Sequence, residues 1–179
     1  MPEQLLDTLR WQFHLTCQLA QHHLPHLTDE ACLWEPAPGS WTVREDGGVW
    51  RPDWADTEPD PVPPVTIGWL TWHIIWWWSD LVAAVRNEPP VRREEVFWPG
   101  SAKTAVERIE ALSAAWNDVL ANAAEADLER PLAYPWREPR PLRIALAWTN
   151  SELMKNIAEI GAVRHAFGVR GRVALEDGK

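Results

Sequence analysis

The sequence predicts an all-α protein built as a four-helix bundle. Four stretches, residues 3–25, 66–86, 101–124 and 142–167, carry apolar side chains at helical spacing. Proline- and glycine-bearing segments bound them, and the connections comprise one very long and two shorter loops. Four apolar stripes are buried most economically against one another. At 179 residues and 46% hydrophobic, the chain is long enough for one core, so a single domain over residues 1–179 is expected. No internal repeat is visible.

In the first helix Leu5, Leu6, Leu9, Phe13, Thr16, Leu19 and Leu24 recur mostly at three and four, and Pro25 ends the run. His14, His22, His23 and His26 invite a metal reading. However, His22 and His23 project about 100° apart on a helix, and a helix C-terminus favours imidazolium in any case. They are read as ordinary polar-side residues. Residues 27–65 form a long connection rich in Pro, Gly and Asp, yet Trp34, Trp41, Trp50 and Trp54 recur along it, which argues against disorder. It should wrap over one end of the bundle, pinned by tryptophans. Glu45 to Gly48 suits a hairpin turn, with Val49 to Trp54 as the returning strand.

Thr66 suits an N-cap for the second helix, which is apolar on almost every side. Ile67, Leu70, Ile74, Trp77, Leu81 and Val85 share one arc, suited to a bundle core. Trp69, Trp72 and Trp76 share another, suited to a second partner surface. His73 lies at the edge of the core arc, with Asp80 two turns along. The segment Val96-Phe97-Trp98-Pro99-Gly100 should tuck an aromatic anchor inward. Ser101 then caps a third helix with Ala105, Ile109, Leu112, Trp116 and Leu120 on its stripe. Residues 127–141 hold four prolines, and Tyr134-Pro135-Trp136 reads as extended chain over a bundle end. The last helix should close near Gly168, leaving a loosely ordered tail to Lys179.

Composition narrows the function. A net charge of -9 without a basic stripe excludes the pattern used to bind phosphate backbones, so no nucleic-acid partner is expected. His73, Ser79 and Asp80 interrupt the most apolar stretch, and no membrane partner is expected either. The N-terminus lacks the pattern of a secretory leader. Cys17 and Cys32 form no CxxC motif, and a chain of this size does not need a disulfide, which points to a soluble protein of the reducing cytoplasm. Fourteen tryptophans against one tyrosine and three phenylalanines imply wide aromatic surfaces in the core, a pocket or an interface.

Three segments carry a resemblance. Trp34 to Arg44, WEPAPGSWTVR, is a proline- and glycine-bearing turn into Trp-Thr-Val; Thr66 to Ile74, TIGWLTWHI, opens the second helix; Asn150 to Gly161, NSELMKNIAEIG, lies in the fourth. In this order they resemble the DinB-like (YfiT-type) superfamily, over most of the chain. The resemblance implies an up-down-down-up bundle, frequently a homodimer, with a divalent metal held by three histidines between the second and fourth helices. Among its implied activities are thiol-dependent transfer and mycothiol-dependent isomerisation.

His73 matches the family's second-helix ligand, but the fourth helix departs from the pattern. An ungapped alignment puts Ser151 and Lys155 where two histidines belong, and a frame shifted by one puts Glu152 and Asn156 there. Zinc or nickel favours imidazole or thiolate, with carboxylate usable. His73, Glu152 and Glu159 are therefore the candidate metal ligands, while Lys155 projects between the two glutamates and competes with a cation. The alternatives are a metal-free Glu152/Lys155/Glu159 network facing His73, or a solvated helix face with weak ion pairs. His165 lies on a different side and reads as solvated or as favourable charge at the helix C-terminus.

Two functions follow. One is a thiol transferase or isomerase-type enzyme, metal-dependent or metal-independent: a metal would lower the pKa of a bound thiol or water, and without one His73 serves as acid or base while Lys155 holds an anionic substrate. Neither cysteine is assigned as a nucleophile. The other is a non-catalytic bundle whose decayed metal site leaves a tryptophan-lined cleft for a small apolar or aromatic ligand. A homodimer burying Trp69, Trp72 and Trp76 across a two-fold axis is compatible with either.

Overall fold

Thr66, in extended conformation, accepts a hydrogen bond from the Trp69 amide and starts α3 (Ile67–Arg86); Asn87, at φ 57°, stops it. Everything else is arranged about this helix. The computed structural model describes residues 2–176. α1 (Pro2–His23) leads into a short α2 (Asp29–Leu33), then an antiparallel hairpin of β1 (Val43–Asp46) and β2 (Val49–Pro52). After α3 come α4 (Ala102–Asn122), a two-residue ribbon of β3 (Pro131–Leu132) and β4 (Arg140–Pro141), and α5 (Leu142–Glu176). The chain is mostly helical, as expected, with small strands added.

α3 packs between α4 and α5, and α5 also packs along α1, whereas α1 and α4 meet lightly. Leu9 and Phe13 of α1, Leu70, Trp78 and Leu81 of α3, Ile109 and Trp116 of α4, and Leu146 and Ile157 of α5 meet in one core. Ser101 caps α4 by accepting from the Thr104 amide. The four long helices thus fall close to the expected ranges, except that α5 runs through Gly168 to Glu176 instead of closing there. Residues 177–179 of the expected tail lie outside the described residues. α2 was expected as loop. At five residues it is too short for a periodic signal, but Thr28 caps it and Asp29 and Glu30 suit its first turn. Among the described residues, no helix is long and apolar enough to cross a membrane.

The connection between α1 and α3 is pinned as expected. Gly47 and Gly48, both at positive φ, make the two-residue hairpin turn, and Glu45 accepts from the Gly48 amide at 2.6 Å. Trp34 packs edge-on against Phe167 of α5, and Trp50 against Trp98. Beyond β2 the chain forms a flap held at both ends. The Asp53 amide donates to the Thr42 carbonyl, and the amides of Trp41 and Thr66 donate to the carbonyls of Pro64 and Trp41.

This flap corrects one expectation. Trp69 and Trp72 do not form an outward partner surface, because the chain covers them itself, and Trp76 is left half-buried. Trp54 packs against all three, the Trp69 indole donates to the Asp53 carbonyl at 2.8 Å, and the Trp72 indole donates to the Val96 carbonyl at 2.8 Å. Helical periodicity marks a face as apolar without saying which segment covers it.

Gly68 lets α2 and the hairpin close on α3. A Cβ there would lie 2.9 Å from Val43 Cγ2 and 3.0 Å from the Cys32 carbonyl oxygen. Gly→Ala ordinarily stabilises a helix by about 1 kcal/mol. At Gly68 the sign should reverse, to a loss of roughly 1–3 kcal/mol, because backbone cannot move aside as a side-chain tip can. Urea denaturation of Gly68→Ala beside Gly168→Ala, where an added Cβ meets nothing, checks this; equal or stabilising effects at both sites would refute it.

Candidate functional site

The flap closes over a cleft of about 630 Å³ between α3 and α5. Trp41, Trp54 and Trp69 wall it, and His73, Glu152, Lys155 and Asn156 form its floor. The indoles form a continuous cluster, with ring centroids 5.6 Å apart for Trp41 and Trp69, 6.3 Å for Trp41 and Trp54, and 6.4 Å for Trp54 and Trp69. The His73 ring stacks on Trp69 at 4.9 Å and 12°, one helical turn along α3, which fixes the imidazole plane.

The floor converges on one oxygen. Glu152 Oε1 accepts from the Lys155 ammonium at 2.7 Å and from Asn156 Nδ2 at 3.4 Å, and His73 Nε2 lies 3.6 Å away. The last contact is electrostatic rather than a full hydrogen bond. Asn156 in turn accepts from the Trp77 indole at 3.0 Å, so the floor is tied to the core. Burial pushes the Glu152 carboxyl up, but His73 and Lys155 outweigh it and bring its pKa to about 2. Glu152 is thus ionised at neutral pH.

Most of the polar residues singled out in the sequence lie here, in a particular arrangement. His73, Glu152, Lys155 and Glu159 all line the cleft, whereas Ser151 faces a separate groove beside Trp11 and Gln12. The shifted frame, which pairs Glu152 with Asn156, is therefore the one that faces α3. Asn156 was not singled out as a functional residue, although its spacing of four from Glu152 was the available signal.

His73, Glu152 and Glu159 do not assemble as a ligand set. Among the described residues, no three His, Cys, Asp or Glu side chains converge closely enough to hold a metal ion. The donor chemistry agrees. The Lys155 ammonium is seated on the carboxylate that a cation would need, and a ligating imidazole ordinarily donates its other N–H to a carbonyl or carboxylate. Nδ1 of His73 is buried without a hydrogen-bond partner among the described residues. These residues do not fit a zinc or nickel centre.

Other sequence candidates fall outside the cleft. Asp80 accepts from the Val91 amide at 2.9 Å, which ties down the chain after α3. Burial pushes the Cys32 thiol up to about 12 and raises that of Cys17, so neither is a thiolate at neutral pH. At the end of α1, His23 is buried rather than solvated, against the expectation. Its ring packs beside His22 and His165, and Arg164 reaches its Nδ1 at 3.3 Å. Burial and then Arg164 lower its pKa, so it is held neutral there.

A helical bundle with a polar floor between two long helices, under an aromatic flap, is the class of protein that this fold and site define. Residues 50–160 match the sequence profile of the DinB superfamily, and the chain belongs to that family. Among solved structures it is similar to a DinB-like protein from Bacillus cereus ATCC 10987, at 20% identity and a TM-score of 0.62, over 93% of this chain and 92% of that one. It is also similar to a conserved protein from Enterococcus faecalis, at 15% identity and a TM-score of 0.53, over 92% and 94%. At such identities the likeness shows the fold alone. No curated protein of known function matches the chain.

Proposed function

We propose that this protein is a metal-independent small-ligand-binding bundle, in which the tryptophan-walled cleft holds a small molecule with an apolar or aromatic part. The observation that carries this reading is the Lys155 ammonium, 2.7 Å from Glu152 on the cleft floor. It supplies internally the positive charge that a metal would bring, and leaves a cleft of about 630 Å³ whose walls are rigid aromatic surfaces. The thiol-transferase or isomerase reading has less support, since its metal-dependent form needs a ligand set that the described residues do not bring together. Lys155 as an anchor for an anionic substrate is likewise weakened, because Glu152 already engages it.

The side-chain register supports the up-down-down-up order. Arg10 of α1 donates to the Leu120 carbonyl of α4 and Cys17 lies 3.6 Å from the Ser113 hydroxyl, whereas Asn150 of α5 donates to the Leu9 carbonyl and His23 lies beside Gly161. That is the pattern of α1 parallel to α5 and antiparallel to α4. Trp69 and Trp72 are buried within the chain, so a homodimer would use Trp76 or another face, and light scattering across concentration reports whether one forms.

Two measurements test the function. Metal content by plasma mass spectrometry on untagged protein, beside His73→Ala, should show no stoichiometric zinc or nickel, even after soaking. Near-stoichiometric metal that the mutant loses would overturn the metal-free reading. Tryptophan fluorescence should respond saturably to indole or benzyl alcohol, with no chemical change in either compound, and Trp54→Ala should weaken the response several-fold. An unchanged response in Trp54→Ala would remove the cleft as the site.

A further inference from the structure

The cleft carries more negative charge than its own cations neutralise. Asp56, Glu58, Glu152 and Glu159 line it, against the single ammonium of Lys155. Lys155 is engaged by Glu152, and Arg93 lies 3.6 Å from Asp56. Glu58 and Glu159 have no ion-pair partner among the described residues. A ligand with a carboxylate or phosphate would bring like charge to an opening that already holds two uncompensated carboxylates.

The aromatic wall points the same way, on independent grounds. The Arg93 guanidinium lies 4.5 Å from the centroid of the Trp54 ring, so the cluster holds one cation of the chain itself. Indole is the strongest cation-binding ring among the side chains, and an organic ammonium also buries its alkyl groups against such a surface. Trp54, at the cleft mouth, is 37% exposed, which leaves indole surface for a visitor.

We infer that the ligand of this cleft is an organic cation, a substituted ammonium whose apolar part rests on Trp41 and Trp54 and whose charge faces Glu58 and Glu159. This rests on the reading of the cleft as a ligand site and specifies which chemistry enters it.

Choline and its uncharged carbon isostere 3,3-dimethylbutan-1-ol have the same shape and differ in charge, so titrating each against tryptophan fluorescence isolates the inference. Choline should bind at least tenfold more tightly, and its affinity should fall as salt is raised. The Glu58→Gln/Glu159→Gln double variant, altered at two exposed positions, should lose choline affinity several-fold while its affinity for the alcohol stays unchanged. Equal affinities for the two would overturn the cation and leave the cleft standing as a neutral-ligand site. Tighter binding of benzoate than of choline would overturn the sign. Binding of neither isostere would overturn the cation, and if indole and benzyl alcohol also failed, the cleft reading would fall with it.

Discussion

Trp98→Ala should destabilise the protein by roughly 3–5 kcal/mol, the range for truncating a fully buried large aromatic. Trp98 is 2% exposed and joins three parts of the chain. Its indole donates to Thr71 Oγ1 at 3.0 Å, its backbone amide donates to the Trp50 carbonyl at 3.0 Å, and its ring meets Trp50 edge-on. Removing the side chain opens a void beneath the hairpin and loosens the connection between α3 and α4, which keeps its backbone bond to Trp50 and the Trp72 bond to Val96. For a chain of this size the loss corresponds to a fall in Tm of roughly 6–20 °C. Trp98→Phe should cost far less, about 1 kcal/mol, because the Thr71 hydroxyl still donates to the carbonyls of Ile67 and Gly68. Calorimetry on the pair decides the matter, and an alanine variant that loses less than 1 kcal/mol would contradict the anchoring role.

The second large effect is on acid stability, through Glu152. Its pKa is near 2 in the folded chain against 4.5 for the free group, so the stabilisation is fully present above about pH 4.5 and is lost as pH falls toward 2. Because the Lys155 side chain is 53% exposed, solvent screens the pair, and the contribution is about 1–3 kcal/mol. Glu152→Gln should therefore be less stable than the parent at pH 7 by that amount, and the gap should narrow below pH 4.5. Urea midpoints at pH 7, 4.5 and 3 measure it. His23 acts in a different window: its lowered pKa favours the folded state above about 6.5, the free histidine value, and that advantage erodes as pH falls below it. It affects parent and variant alike and cancels in their difference. A gap independent of pH would mean that Glu152 contributes through packing and not through charge.

Much of the bundle was legible because long helices announce themselves by period and caps. Thr66 and Ser101 cap the helices that they were expected to cap, and Glu45 to Gly48 turns the hairpin. The site was legible in part. His73, Glu152 and Lys155 could be grouped from their helix faces, but which cation serves Glu152 depends on a 2.7 Å contact that no spacing rule supplies. His23 was misread for a related reason. Its neighbour across the bundle is Gly161, whose missing side chain makes room for the ring, with Nε2 only 2.5 Å from where a Cβ would stand. A pocket made by an absent side chain 138 positions away leaves no local trace in the sequence.

The two-ended attachment of the flap has a kinetic consequence. Its backbone bonds fall at Trp41, Asp53, Pro64 and Thr66, whereas between Trp54 and Pro63 no backbone-to-backbone bond is formed among the described residues. Amides in that span should exchange with solvent on a local scale, far faster than those of α3 beneath them, whose protection reports global unfolding. The strip beyond Trp54 should therefore open locally while the bundle stays folded and Trp54 keeps its seat on Trp69. Entry to the cleft is then set by a small local opening, and an occupant that slows exchange in this span alone would be recorded by its effect on motion before any change in shape.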